Sequence, residues 1–280
     1  MFEWWHELWM PELSFLRYAL LLGILSAPVL GVIGTTVVTR RISSLAGASA
    51  HAALGGVGLA LYLQRVWMWS FFSPELGAVL GALIAALVVG IVSLSASERE
   101  DTVIGVVWAL GMALGLLFLD RTPGYVDWQG YLFGNILLLS STELYLTLAL
   151  DAAVLLPLGL FYNRLLAVSF DSTFAQLRGV RATAIYLALL TLTALTIVLL
   201  MNVVGIILVI AMITLPAATS GFFARHLWSM MVLSGILSAV FMVGGLLLSY
   251  FCRVPSGPAI VVLAGVVYLS ALTLRRKRRS

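Results

Sequence analysis

Lysine is almost missing from this 280-residue chain, which has only Lys277; cysteine occurs once, as Cys252, and histidine three times, as His6, His51 and His226. Each scarcity excludes a chemistry. A single cysteine cannot close an intrachain disulfide. A nucleotide-binding P-loop needs a lysine that reaches the β- and γ-phosphates from a glycine-rich turn before a helix. Lys277 stands in a basic C-terminal tail instead, so any ATP-driven activity would need an ATPase on another chain. An intramembrane metalloprotease needs paired histidines such as HExxH, and the three histidines here are scattered. Charge is scarce too: 10% of residues are charged, where about a quarter is usual in a soluble domain. No stretch is polar enough for a soluble catalytic domain.

What is present is apolar sequence, 62% of the chain. A spanning helix needs about 20 mainly apolar residues. Stretches at 18–38, 45–63, 76–94, 102–119, 144–162, 182–200, 203–220, 229–250 and 259–274 meet this need and are separated by charged or polar breaks. The reading is an all-α, polytopic transmembrane bundle of nine spans in one domain over 1–280. Only Met201 and Asn202 separate the sixth and seventh stretches, so a tight hairpin and one broken helix are both open there, and eight spans is the alternative. The first 12 residues carry Glu3, Glu7 and Glu12 in place of the basic start of a secretory signal, with Trp4, Trp5 and Trp9 suited to headgroup level. They read as an interfacial helix.

Nine alternating spans put the loops after spans one, three, five and seven on the side of the C-terminal tail. That side holds twelve of the sixteen Lys and Arg residues: Arg40, Arg41, Arg99, Arg164, Arg178, Arg181, Arg225 and five at 275–279. Cytoplasmic loops carry this excess, which places the tail 275–280 and the loop 163–181 in the cytoplasm and the N-terminus outside. The net charge of +4 then needs no nucleic-acid partner. The tail reads as a topology anchor against anionic lipid.

Ionisable residues at membrane depth cost several kcal/mol unless they face a bundle interior or a water-filled path. His51 and Asp151 stand out. His51 lies early in the second span among residues small enough for close helix approach; its imidazole is either a ligand for a transition metal on a transport path or a packed histidine bonded across helices. Asp151, mid-way along the fifth span, is either a carboxylate for a cation or a protonated group bonded to a neighbouring helix. Pro28, Pro157 and Pro216 fall inside spans, where freed carbonyls need partners. Gly77 with Gly81 and Gly111 with Gly115 have the spacing of close helix packing within a bundle. Thr35, Thr36, Ser43, Ser44, Thr214 and Thr219 are expected to bond back to their own helices. In the loop 163–181, Asp171 can cap a short helix, Phe174 and Leu177 share a face, and Gly179 can end it. Such a helix either docks into a partner's groove or is a solvated connector.

Four segments in order, SLAGASAHAALGG (44–56), GYLFGNIL (130–137), SFDSTFAQLRGV (169–180) and VGIILVIAMITLPAAT (204–219), with VPSGPAIVVL (254–263) as a fifth, resemble the membrane permease subunit of ATP-binding-cassette (ABC) importers for zinc, manganese or iron. The resemblance runs over nearly the whole chain. It implies a transport subunit, not an enzyme, in a bacterial inner membrane, working by alternating access. Its partners would be a second copy of itself (a homodimer), a cytoplasmic ABC ATPase that carries the ATP, and an extracytoplasmic metal-binding protein that docks on loops including 125–131. It makes 171–179 the coupling helix, with Asp171, Phe174, Ala175, Leu177 and Gly179 as its residues. The only cofactor-like species is the transported divalent ion.

In the family's second-span pattern, Gly-Asp-Ala-x-Ser-His, the Asp and His line the metal path. The His matches His51, but the Asp position is Gly47 and the Ser position is Ala50. Losing a hard oxygen donor disfavours manganese more than zinc, so zinc is the first expectation and manganese or iron the next. Asp151 is the candidate replacement from another helix. The alternative function is a gradient-driven secondary cation transporter with Asp151 as its ion site.

Overall fold

The computed structural model describes residues 14–95, 99–134 and 141–277. Every regular element in these residues is a helix, the arrangement a bilayer demands because only intrahelical bonds satisfy a lipid-exposed backbone. The order is α1 Ser14–Leu25, α2 Ala27–Thr39, α3 Ser44–Val66, α4 Pro74–Ser95, α5 Glu100–Arg121, α6 Trp128–Phe133, α7 Ser141–Leu160, α8 Tyr162–Phe170, α9 Ser172–Leu177, α10 Ala182–Val204, α11 Ile206–Ser220, α12 Leu227–Cys252 and α13 Ser256–Lys277. The expected N-terminal interfacial helix lies outside the described residues.

Among the described residues six helices are individually long and apolar enough to cross a membrane, and two bent pairs raise this to eight. The first expected span is one such pair, α1 and α2, bent by 44°. The break at Ser26 has a local cause: Pro28 has no N–H to donate back along the helix, and the Ser26 hydroxyl bonds the Gly23 carbonyl. The fifth runs through α7 and turns by 70° into α8. The seventh expected stretch is α11, which has 15 residues and falls short of a full crossing of about 20. Gly205, at φ +83°, is the one residue between α10 and α11, so no loop separates the two helices. Nine full crossings are therefore an approximation. The helical register also carries α13 on to Lys277, through the first residues of the expected tail.

The chain divides into two compact units, Met1–Val38 with Phe133–Pro157 and Asn202–Ser280, and Thr39–Leu132 with Leu158–Met201. In the first, small residues bring backbones together. A Cβ on Gly31 of α2 would lie 2.6 Å from the Gly235 nitrogen of α12, and one on Gly245 of α12 would lie 2.6 Å from Ile260 Cα of α13. The expected back-bonding holds here, with Thr36 reaching Ile33 O at 2.8 Å and Thr214 and Thr219 reaching Ile210 O and Leu215 O at 2.8 and 2.7 Å.

The second unit is built around α3. Glycine costs about 1 kcal/mol relative to alanine in a helix interior, yet α3 contains Gly47, Gly55, Gly56 and Gly58. Close packing offsets that cost. The spaced glycines of α4 and α5 meet them: Gly77 and Gly81 abut Gly56 and Ala52, while Gly111 and Gly115 abut the His51–Ala52 and Leu54–Gly55 peptides. The expected small-residue contacts are thus internal. The outward faces of α4 and α5 expose Leu80, Ile84 and Ile91 and Val106, Leu110 and Leu117, surface that only a bilayer or another apolar partner accommodates.

Candidate functional site

His51 sits in the second turn of α3, on the helix with the largest buried share among the candidate spans. Its side chain is 9% exposed, and Nδ1 is buried with no hydrogen-bond partner among the described residues. An unsatisfied buried polar atom costs about 1–3 kcal/mol, and no hydrogen bond from Nδ1 to a neighbouring helix offsets that cost among the described residues. The neighbour is aromatic instead. Trp108 of α5 stacks on the imidazole, ring centroids 5.2 Å apart and planes 26° from parallel. The same indole fills the space beside Gly47, where a Cβ would collide with Cζ3 and Cη2 and come within 2.8 Å of Cε3. Gly47 and His51, one turn apart, therefore share a face whose intervening volume is taken by Trp108.

Asp151 belongs to the other compact unit. On α7 the residues Thr147, Asp151, Val154 and Leu158 are buried, while Tyr145, Leu146, Leu148 and Leu156 are exposed. The carboxyl is 8% exposed and lies on the stripe turned away from lipid, as an ionisable group at this depth requires. Among the described residues no three His, Cys, Asp or Glu side chains gather as a ready-made metal site.

The segment after α7 forms a capped surface element. Asp171 caps α9, its Oδ1 accepting the Phe174 N–H at 2.9 Å. Ala175 packs with Val168 of α8 and Ala182 of α10, fixing one face of α9. Phe174 and Leu177 point outward, 52% and 83% exposed, with the Arg178 guanidinium 5.1 Å above the Phe174 ring. Gly179, at φ +79°, takes the left-handed turn that ends the helix.

A polar cavity of about 200 Å³ lies behind α9, lined by Arg40, Ser93, Glu100, Ser172, Gln176 and Tyr186 among others. The Tyr186 hydroxyl donates to the Glu100 carboxylate, and the Arg40 guanidinium lies 4.9 Å above the Tyr186 ring. Burial pushes Arg40 below the usual guanidinium range, against the opposing pull of Tyr186 and Glu100. This cluster ties the turn before α3 and the start of α5 to α10 beside the capped helix. Sequence reasoning does not reach it, because Arg40, Glu100 and Tyr186 are far apart in the chain and two of them look like ordinary span-end charges. Trp108 is missed for the same reason; the signal was the glycine at position 47.

At the opposite ends of α3 and α5, the Arg65 guanidinium donates to the carbonyls of Pro123 and Tyr125 at 2.8 and 3.3 Å. Asp127 Oδ1 accepts the Gly130 N–H at 3.0 Å. The loop 122–127 is thereby held while Tyr125 stays exposed. Burial and the nearby carboxylates of Glu75 and Asp127 push the Tyr131 hydroxyl above its ordinary range.

The chain matches the ABC 3 transport family over residues 12–275. It is 39% identical over 266 residues to an uncharacterized membrane protein of Synechocystis, covering 95% of this chain and 92% of that one. It is 33% identical over 270 residues to the manganese import system permease protein ScaB of Streptococcus parasanguinis, covering 96% and 94%. Among solved structures, PsaBC from Streptococcus pneumoniae in complex with Fab superposes with a TM-score of 0.80 at 32% identity, over 92% of this chain and 90% of that one. The glycine-packed helices, the capped helix α9 and these likenesses converge: the chain is a multi-pass membrane permease subunit, not an enzyme, and belongs to the ABC 3 transport family.

Proposed function

We propose that this permease carries a divalent transition-metal ion, zinc ahead of manganese or iron, inward across a bacterial inner membrane by alternating access, with His51 on the path. The observation that carries the reading is the buried, unpartnered Nδ1 of His51 at the centre of the second unit. Nδ1 is enclosed in this conformation and unbonded among the described residues, so an ion reaches it only when the helices reorient, and a transient site with few donors lets the ion leave. The manganese name of ScaB weighs toward manganese. The absence of a carboxylate beside His51, where Gly47 meets Trp108, weighs toward zinc. Asp151, buried on the inward stripe of α7, is the second path residue.

The whole chain acts as one permease domain. It pairs with a second copy of itself, a cytoplasmic ABC ATPase and an extracytoplasmic metal-binding protein, with no nucleic-acid partner. Segment 163–181 is the coupling loop: the apolar outer face of α9, Phe174 and Leu177, suits a groove on the ATPase, and Asp171, Ala175 and Gly179 hold its shape. The basic tail 275–280 anchors the cytoplasmic end in anionic lipid, and the N-terminus is extracytoplasmic.

The test is uptake of zinc, manganese and iron by proteoliposomes holding the chain, its ATPase and its binding protein. The expected result is ATP-dependent uptake, zinc fastest, lost in His51→Ala while the assembled complex persists. Uptake by the isolated chain under a pH gradient without ATP would instead establish the gradient-driven carrier.

A further inference from the structure

We propose that Trp108 decides which cation passes His51, its indole taking the volume a side chain at position 47 would fill and covering the imidazole. The inference rests on the reading that His51 lines the metal path. Positions 47 and 51 are neighbours on one helix face, and the gap between α3 and α5 there admits either the indole or a side chain at 47, not both. All three of the closest atoms to a Cβ on Gly47 belong to the Trp108 ring. The gap cannot widen cheaply, because one turn along α5 the Gly111 backbone is already in contact with the His51–Ala52 peptide of α3.

The chemical result is a level of the path with one imidazole nitrogen and an aromatic face. An aromatic face attracts a cation through its quadrupole but gives it no lone pair. Zinc takes imidazole readily, whereas manganese depends on carboxylate and carbonyl oxygens. Trp108 thus excludes the oxygen donor that manganese needs and leaves the donor that zinc uses.

The experiment gives equimolar zinc and manganese chlorides to proteoliposomes with the complete transporter and compares the wild type with Trp108→Ala/Gly47→Asp. The double variant should lower the zinc-to-manganese uptake ratio by about tenfold, on the order of 1.4 kcal/mol of differential binding. Gly47→Asp alone, facing an intact indole, should fail to assemble. An unchanged ratio in an assembled double variant overturns the proposal. A second readout does not depend on transport: in the purified full chain carrying His6→Ala and His226→Ala, diethylpyrocarbonate should modify His51 faster in Trp108→Ala than with tryptophan present. Equal rates would show that the indole does not cover the imidazole and would also overturn it. Absence of ATP-driven metal uptake by the assembled wild type is a different failure, that of the path reading itself.

Discussion

Gly111 and Gly105 lie on the same helix, α5, and the same substitution at each should have opposite effects. A Cβ on Gly111 would stand 2.6 Å from the Ala52 nitrogen, 2.7 Å from Ala52 Cα and 2.9 Å from the His51 carbonyl carbon. Carbon contacts are most favourable at about 3.5–4.0 Å, so α5 must retreat by about 1 Å. Every atom in the way is backbone of α3, and no rotamer change relieves the clash. Overpacking costs about 1–3 kcal/mol, and a backbone obstacle places Gly111→Ala at the upper end. The gain in helix propensity returns about 1 kcal/mol, leaving a net loss of about 2 kcal/mol. Gly105 meets nothing within 4 Å, so Gly105→Ala keeps the propensity gain alone. The assay is thermal unfolding of the purified chain in detergent, followed by size-exclusion recovery. Gly111→Ala should unfold at a lower temperature than the wild type, and Gly105→Ala at an equal or higher one. Metal uptake should also fall in Gly111→Ala, since the displaced peptide is that of His51. Equal thermal recovery for the two variants would refute the view that α3 and α5 are in backbone contact beside His51.

Two further outcomes follow from the end of the bundle that carries α9. Tyr186→Phe removes the hydroxyl that donates to Glu100; a bond to a charged group contributes about 1.5–3 kcal/mol, and combining it with Arg40→Ala should be less than additive in detergent melting because the two side chains touch one partner set. Additive losses would show that the cluster is not one unit. Asp171→Ala removes the cap on α9, a loss of about 1 kcal/mol; it should lower metal-stimulated ATPase activity of the assembled complex, while Asp171→Asn, which can still accept the Phe174 N–H, retains most of it.

The helical class, the membrane setting and the capped element after Phe170 were legible because each rests on local physics. Apolar length marks a crossing, and Asp171 and Gly179 mark a short helix whose cap and exit are both set within nine residues. The span count was less legible where the determinant was a backbone torsion. Gly205 has the same apolar surroundings whether it sits in a continuous helix or at φ +83°, so hydropathy extends through a point where the helix breaks. Ser26 and Pro28 posed the same problem in milder form: proline inside a span announces a missing bond, but not a 44° bend.

The site was half legible for a different reason. His51 is conspicuous because a polar ring at membrane depth needs a cause, and nothing else was required to single it out. Gly47, read along the chain, is only the loss of a carboxylate. Read in space, it is one side of an exchange whose other side is Trp108, 61 positions away in the sequence. Spacing rules cannot link the two, since their contact is set by how deeply α5 seats on α3, and that depth is fixed by Gly111 and Gly115 meeting the α3 backbone. The glycines that looked like generic packing signals are therefore what makes the chemistry at His51 particular. Without that close approach the indole would not reach the imidazole, and a side chain at 47 would have room.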